Sequence, residues 1–157
     1  MSVDVLVAAP VERIWVIVSD VSVPARFSQE LQGADWLDDE VGAGARFRGR
    51  NRHPAAGEWE TTCVVTDFEP GRSFGWAVGD PDFPSARWRF DLSQEADGVR
   101  LRQWAQLGPA PSGLTPAIEA MPDKEERIVA RRLDEHRANM QATVEGIKAL
   151  AEEASES

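Results

Sequence analysis

Side chains able to move a proton or attack an electrophile are few in this sequence. It holds two histidines, His53 and His136, one cysteine, Cys63, and no tyrosine among its 157 residues. An imidazole is the side chain suited to proton transfer near neutral pH, so either could serve as acid or base. The plainer reading is one exposed loop histidine and one histidine at a helix edge. Two histidines without carboxylates at ligand spacing do not make a metal site, and no metal is expected. A lone cysteine excludes an intramolecular disulfide and a thiolate zinc site, and it suits a reducing compartment. Asp67 is a candidate base if strand alternation turns it inward beside Phe74, where burial would raise its pKa. A capping or paired carboxylate near the turn is the simpler role. No nucleophile elbow, P-loop or dinucleotide fingerprint occurs, and Gly42-Ala43-Gly44 lacks the strand-to-helix context of a phosphate loop. No cofactor is therefore expected.

A second group of residues points to binding. Trp59, Trp76 and Trp88, with Trp36 and Phe74 nearby, fall on what the strand pattern makes the inner face. They are either the wall of an aromatic pocket or large fillers of the core. Asn51, Thr61 and Gln103 share that face. A buried polar group without a partner costs roughly 1–3 kcal/mol, so each must bond to protein, water or ligand. Gly49 leaves room beside them. They are polar anchors for an otherwise apolar ligand, or members of a satisfied structural network. His136 and Met140, one helical turn apart on the C-terminal helix, complete the candidate ligand-binding set.

The elements that must position these residues follow from periodicity. Residues 2–8 alternate as a strand. Pro10 and Glu12 open a helix whose apolar face is Val11, Ile14, Trp15 and Val18, ending near Asp20. A second short helix is predicted over 24–30. Strands are predicted over 34–39, 45–52, 58–68, 73–78, 86–93 and 99–107, separated by Gly, Pro and Asp-Gly turn chemistry. Connections this short imply an antiparallel meander. After Pro122-Asp123 a long helix carries Val129, Leu133, His136, Met140, Val144, Ile147 and Ala151 on one stripe. Residues 1–152 read as a single domain, with 153–157 as a frayed tail.

The hairpins allow a register test. If Arg52 pairs with Glu58, then Arg50 faces Glu60, Arg48 faces Thr62 and Arg46 faces Val64, while Phe47, Gly49 and Asn51 meet Cys63, Thr61 and Trp59. In the next hairpin Cys63 faces Val78, Val65 faces Trp76 and Asp67 faces Phe74. In the last, Leu92 is set against Val99, Phe90 against Leu101, Trp88 against Gln103 and Asp91 against Arg100. Arg89 then opposes Arg102, a like-charge pair without evident relief. One face stays apolar throughout, and a one-residue slip would invert it. A sheet of this width twists, and the apolar stripe of the last helix is its cover.

The outer face carries Arg46, Arg48, Arg50, Arg52, Arg87, Arg89, Arg100 and Arg102, interspersed with acids. It is a solvated surface or a docking face for a partner. Overall, 27 acids outweigh 17 bases for a net charge of −10. That disfavours nucleic acid and anionic membrane surfaces as partners. The apolar run from Val5 to Val11 is too short for a membrane span or signal segment, so no stable membrane insertion and a cytoplasmic location are expected.

Three segments carry a family resemblance: Ala9-Pro10-Val11-Glu12-Arg13-Ile14-Trp15 with Ser19-Asp20, Val41-Gly42-Ala43-Gly44-Ala45-Arg46-Phe47, and Phe68-Glu69-Pro70-Gly71-Arg72. Together they resemble the polyketide cyclase/dehydrase branch of the START/Bet v 1-like (SRPBCC) superfamily. The resemblance implies an α+β helix-grip fold of order β-α-α-β6-α, with a twisted antiparallel sheet wrapped around a long C-terminal helix. It also implies that the loop bearing His53 borders a pocket mouth. It assigns no functional residue. The expected function is binding of a hydrophobic, polycyclic or lipid-like small molecule. An aromatase/cyclase-like enzyme and a partner-binding regulator are the alternatives, with the oligomeric state left open.

Overall fold

A computed structural model describes residues 1–110 and 115–155. The chain runs β1 (Ser2–Val7), α1 (Val11–Val18), a 3-10 turn (Val23–Arg26), β2 (Leu31–Trp36), β3 (Arg46–His53), β4 (Gly57–Glu69), β5 (Ser73–Asp80), β6 (Phe83–Glu95) and β7 (Gly98–Leu107). It closes with α2 (Thr115–Ala120), a second 3-10 turn (Pro122–Lys124) and α3 (Glu125–Ser155). The seven strands form one antiparallel sheet in the order β1-β7-β6-β5-β4-β3-β2. Strands β2 to β7 are the expected meander, and β1 returns to pair with β7. The sheet curls around α3, which makes this the helix-grip fold.

The β3–β4 register is as expected, from Arg46 opposite Val64 to Arg52 opposite Glu58. Four expectations need correction. The second helix is only a 3-10 turn, and the following strand lies at 31–36 rather than 34–39, its pairing offset by a bulge between Leu31 and Gly33. In β4–β5, Cys63 opposite Val78 and Val65 opposite Trp76 hold, but a bulge follows Val65. Asp67 thus pairs with Gly75 and Phe68 with Phe74. The extra residue sends Phe68 to the core beside Trp15, with ring centroids 5.6 Å apart, in the place expected for Asp67.

The β6–β7 hairpin turns tightly, with Glu95 opposite Gly98, so its register is two residues from expectation. Leu92 faces Leu101, Phe90 faces Gln103, Trp88 faces Ala105 and Asp91 faces Arg102. A shift of two preserves the faces while changing every partner. Arg89 therefore opposes Trp104 and not Arg102, with its guanidinium 5.0 Å from the ring centroid and 3.0 Å from Asp91. The expected like-charge pair is absent. Helix α3 runs to Ser155, and Glu152 Oε1 accepts a hydrogen bond from the Ala8 backbone N–H at 3.0 Å.

Two apolar clusters hold this frame. One packs Val3 and Val7 of β1, Ile14 and Val18 of α1, and Phe90, Leu92, Val99 and Leu101 of β6–β7 against Met140, Val144, Ile147 and Ala151 of α3. The second gathers Val21, Ala34, Phe47, Cys63, Val65 and Phe74 under β2–β5. Trp15 and Trp76 touch both. Only the second half of α3 is cemented this way. From Glu125 to Arg137, His136 alone is buried, because this half spans a void.

Candidate functional site

The void is a cavity of about 970 Å³ between the concave face of the sheet, the 3-10 turn at 23–26 and the first half of α3. That volume is at the upper end of small-molecule pockets. All eight residues singled out from the sequence line it. Strand alternation places them: Asn51 on β3, Trp59 and Thr61 on β4, Trp76 on β5, Trp88 on β6 and Gln103 on β7. Helical spacing adds His136 and Met140 from α3.

The aromatic wall is continuous. Trp36 packs on Phe47 and Phe47 on Trp76, each edge-on at 5.6 Å, and Trp76 leans on Phe90 at 6.1 Å. Trp88 meets His136 edge-on at 5.3 Å. Gly49 is needed here, since a Cβ would stand 3.0 Å from Thr61 Oγ1 and encroach on the cavity it lines.

Deep in the wall, Gln103 is 4% exposed between Leu101 and Ala105 on the inner face of β7. Its buried side-chain oxygen has no hydrogen-bond partner among the described residues. His136 is also buried. Burial, helped by the charge of Arg132, lowers its pKa to about 4, so the ring is neutral at pH 7. Cys63 borders the same space as an inert thiol, pushed up to about 11 by burial against a smaller opposing effect of Thr61.

The mouth is charged, which the sequence reading did not foresee. Arg132 of α3 pairs with Glu30 ahead of β2. His53 Nε2 lies 2.6 Å from Glu135 Oε2. His53 Nδ1 accepts the Ala55 N–H at 3.0 Å, so in the neutral ring Nε2 carries the proton and donates to Glu135. Both nitrogens are occupied, which leaves His53 no free edge for a substrate. Burial raises the Glu135 pKa, but the His53 hydrogen bond and the charges of His53, Arg132 and Arg131 outweigh it, holding the carboxyl below its usual range. Asn139 Oδ1 adds a third tie, accepting the Gln29 N–H at 3.2 Å. The signal for this row was a polar helical spacing, Arg132, Glu135, Asn139 and Thr143, alongside the apolar stripe. Val129 and Leu133 of the stripe are only half-buried.

On the convex face the arginines are largely answered by acids. Arg46 binds Asp38 at 3.0 Å, Arg50 binds Asp35 at 2.7 Å, and Arg100 reaches Asp4 at 3.2 Å and Glu95 at 3.1 Å. Asp67 belongs to this side, since a Cβ on Gly75 would meet both Asp67 Oδ2 and Arg89 Cγ. It is therefore no base for the cavity.

A helix gripped by a curled sheet over a deep apolar cavity defines a class of ligand-pocket folds. The chain belongs to the polyketide cyclase/dehydrase and lipid transport family, whose pattern it matches over residues 1–152. Among solved structures it is similar to the Polyketide_cyc-like protein Cgl2372 from Corynebacterium glutamicum, at 28% identity and a TM-score of 0.67, covering 99% of this chain and 93% of that one. It also resembles the di-domain ARO/CYC StfQ from the steffimycin biosynthetic pathway, at 16% identity and a TM-score of 0.75. That match covers all of this chain but 51% of StfQ, so the chain spans about half of it. Ara h 8.0201 shares the fold at 9% identity and a TM-score of 0.59, over 96% of this chain and 95% of its own. No curated protein matches. No helix among the described residues is long and apolar enough to cross a membrane.

Proposed function

We propose that the protein binds a hydrophobic small molecule in the cavity beneath α3. The observation that carries this reading is the cavity itself: about 970 Å³, walled by Trp59, Trp76 and Trp88. A ligand burying about 300 Å² of apolar surface there would gain about 7.5 kcal/mol at ~25 cal/mol per Å², before association costs. Asn51, Thr61 and Gln103 would orient it. The test is native mass spectrometry of gently purified protein, with displacement of a fluorescent apolar probe. Co-purified or displaceable ligand supports the reading, and failure to take up any apolar probe sinks it.

Cyclase-like chemistry on a poly-β-ketone is the second reading, favoured by one observation. His136 lines the cavity as a neutral imidazole with no hydrogen-bond partner among the described residues, so it is free to take a proton from an enolising carbon. The walls would hold the chain bent. Incubation with a poly-β-ketone mimic separates the two. Cyclised product lost in His136→Phe supports catalysis, whereas unchanged mimic bound with high affinity leaves binding alone.

A further inference from the structure

Two polar side chains face the cavity with bonding capacity that no described residue takes up. Gln103 is 4% exposed, and its buried amide oxygen has no hydrogen-bond partner among the described residues. The His136 ring, 9% exposed, meets Trp88 edge-on and makes no hydrogen bond among the described residues. An unpartnered buried amide is costly, and leucine or methionine would fill the same place without penalty. Both groups bond uncharged partners. The amide offers a donor and an acceptor, rotation exchanges them, and neutral imidazole offers one of each.

The charges lining the cavity point the same way. Three carboxylates, Asp20, Glu30 and Glu135, stand against two guanidiniums, Arg131 and Arg132. Arg132 is committed to Glu30 and lies 3.8 Å from Glu135. Its buried Nη1 has no hydrogen bond among the described residues, but an anion brought there would also meet both carboxylates. Arg131 is exposed at the rim. A carboxylate or phosphate drawn to the deep wall would lose its hydration beside Arg132, already committed to Glu30, while Arg131 stays in solvent at the rim.

We infer that the ligand is an uncharged apolar molecule bearing a hydroxyl or carbonyl group, bound by Gln103 and His136 at the deep wall, and not a fatty acid or other organic anion. This inference rests on the binding reading above and deepens it. Three matched probes test it: 1-methylpyrene, 1-pyrenemethanol and 1-pyrenecarboxylate, titrated by tryptophan quenching at pH 7.5. A featureless apolar pocket prefers the methyl compound, because the alcohol is better hydrated. This pocket should bind the alcohol at least tenfold tighter than either the methyl compound or the carboxylate, and Gln103→Leu should erase the preference over methyl. If the carboxylate binds as tightly as the alcohol, or the methyl compound does, the inference is overturned while the binding reading stands. If no probe binds, both fall. The comparison among probes is made on the unaltered protein, so it does not depend on the variant folding.

Discussion

The pair Arg132–Glu30 holds down a half-helix that has little apolar cement, so replacing Arg132 with Met should loosen the cavity roof. The two side chains are 16% and 11% exposed. Breaking a fully buried pair from one side costs about 3–5 kcal/mol, and an exposed pair is worth about 0–1 kcal/mol. This pair is nearly buried but borders the cavity, which places Arg132→Met at about 2 kcal/mol. Most of that cost is the stranded Glu30 carboxylate. For a chain of this size it corresponds to a Tm lower by about 4–8 °C. Adding Glu30→Gln removes the stranded charge and should return the double variant to within about 1 kcal/mol of the starting protein. The assay is thermal and urea unfolding followed by circular dichroism, with amide hydrogen exchange along α3. Exchange should accelerate over 125–139 while 140–151 stay protected, since Met140, Val144, Ile147 and Ala151 remain packed. A loss below about 0.5 kcal/mol for Arg132→Met, or a double variant as unstable as the sum of its parts, would refute the reasoning.

Two further perturbations probe other parts of the frame. His136 has its pKa lowered from 6.5 to about 4 in the folded protein, so the unfolded chain binds its proton first. Its share of stability is complete above pH 6.5 and is lost as pH falls toward 4, to the extent of about 3 kcal/mol. His136→Phe should flatten that part of the unfolding free energy against pH, and an unchanged difference between pH 6.5 and 4.5 would count against a buried neutral ring. Gly146→Ala should destabilise despite a helix-propensity gain of about 1 kcal/mol. The new Cβ would meet Phe27 ring carbons at 2.3–2.6 Å, which calls for a net loss of about 1–2 kcal/mol by urea unfolding. A stabilised Gly146→Ala would mean that Phe27 does not pack there.

The inner face was legible in the sequence because a strand has period two and three hairpins had to agree on which side was apolar. That argument put Asn51, Thr61, Trp59, Trp76, Trp88 and Gln103 on one wall. It is blind to a shift of two, which is why Trp88 was paired with Gln103 and not with Ala105. It is equally blind to one inserted residue, so the bulge after Val65 moved Asp67 outward and Phe68 inward. On α3 the apolar stripe correctly located Met140, Val144, Ile147 and Ala151, where helix meets core. It failed at Val129 and Leu133 because that half of the helix roofs a cavity and is held by Arg132, Glu135 and Asn139. Apolar periodicity reports packing, and nothing packs across a void.

The central claim is that an apolar molecule sits against one wall of this cavity, and the six tryptophans test it directly. A titration of 15N-indole-labelled protein with 1-pyrenemethanol, followed by heteronuclear NMR, reads each ring separately. Trp59, Trp76 and Trp88 line the cavity, whereas Trp104 stands on the convex face under Arg89. The account predicts large saturable shifts for the first three and none for Trp104. Shifts at Trp104 alone, or no shift at any indole, would contradict it.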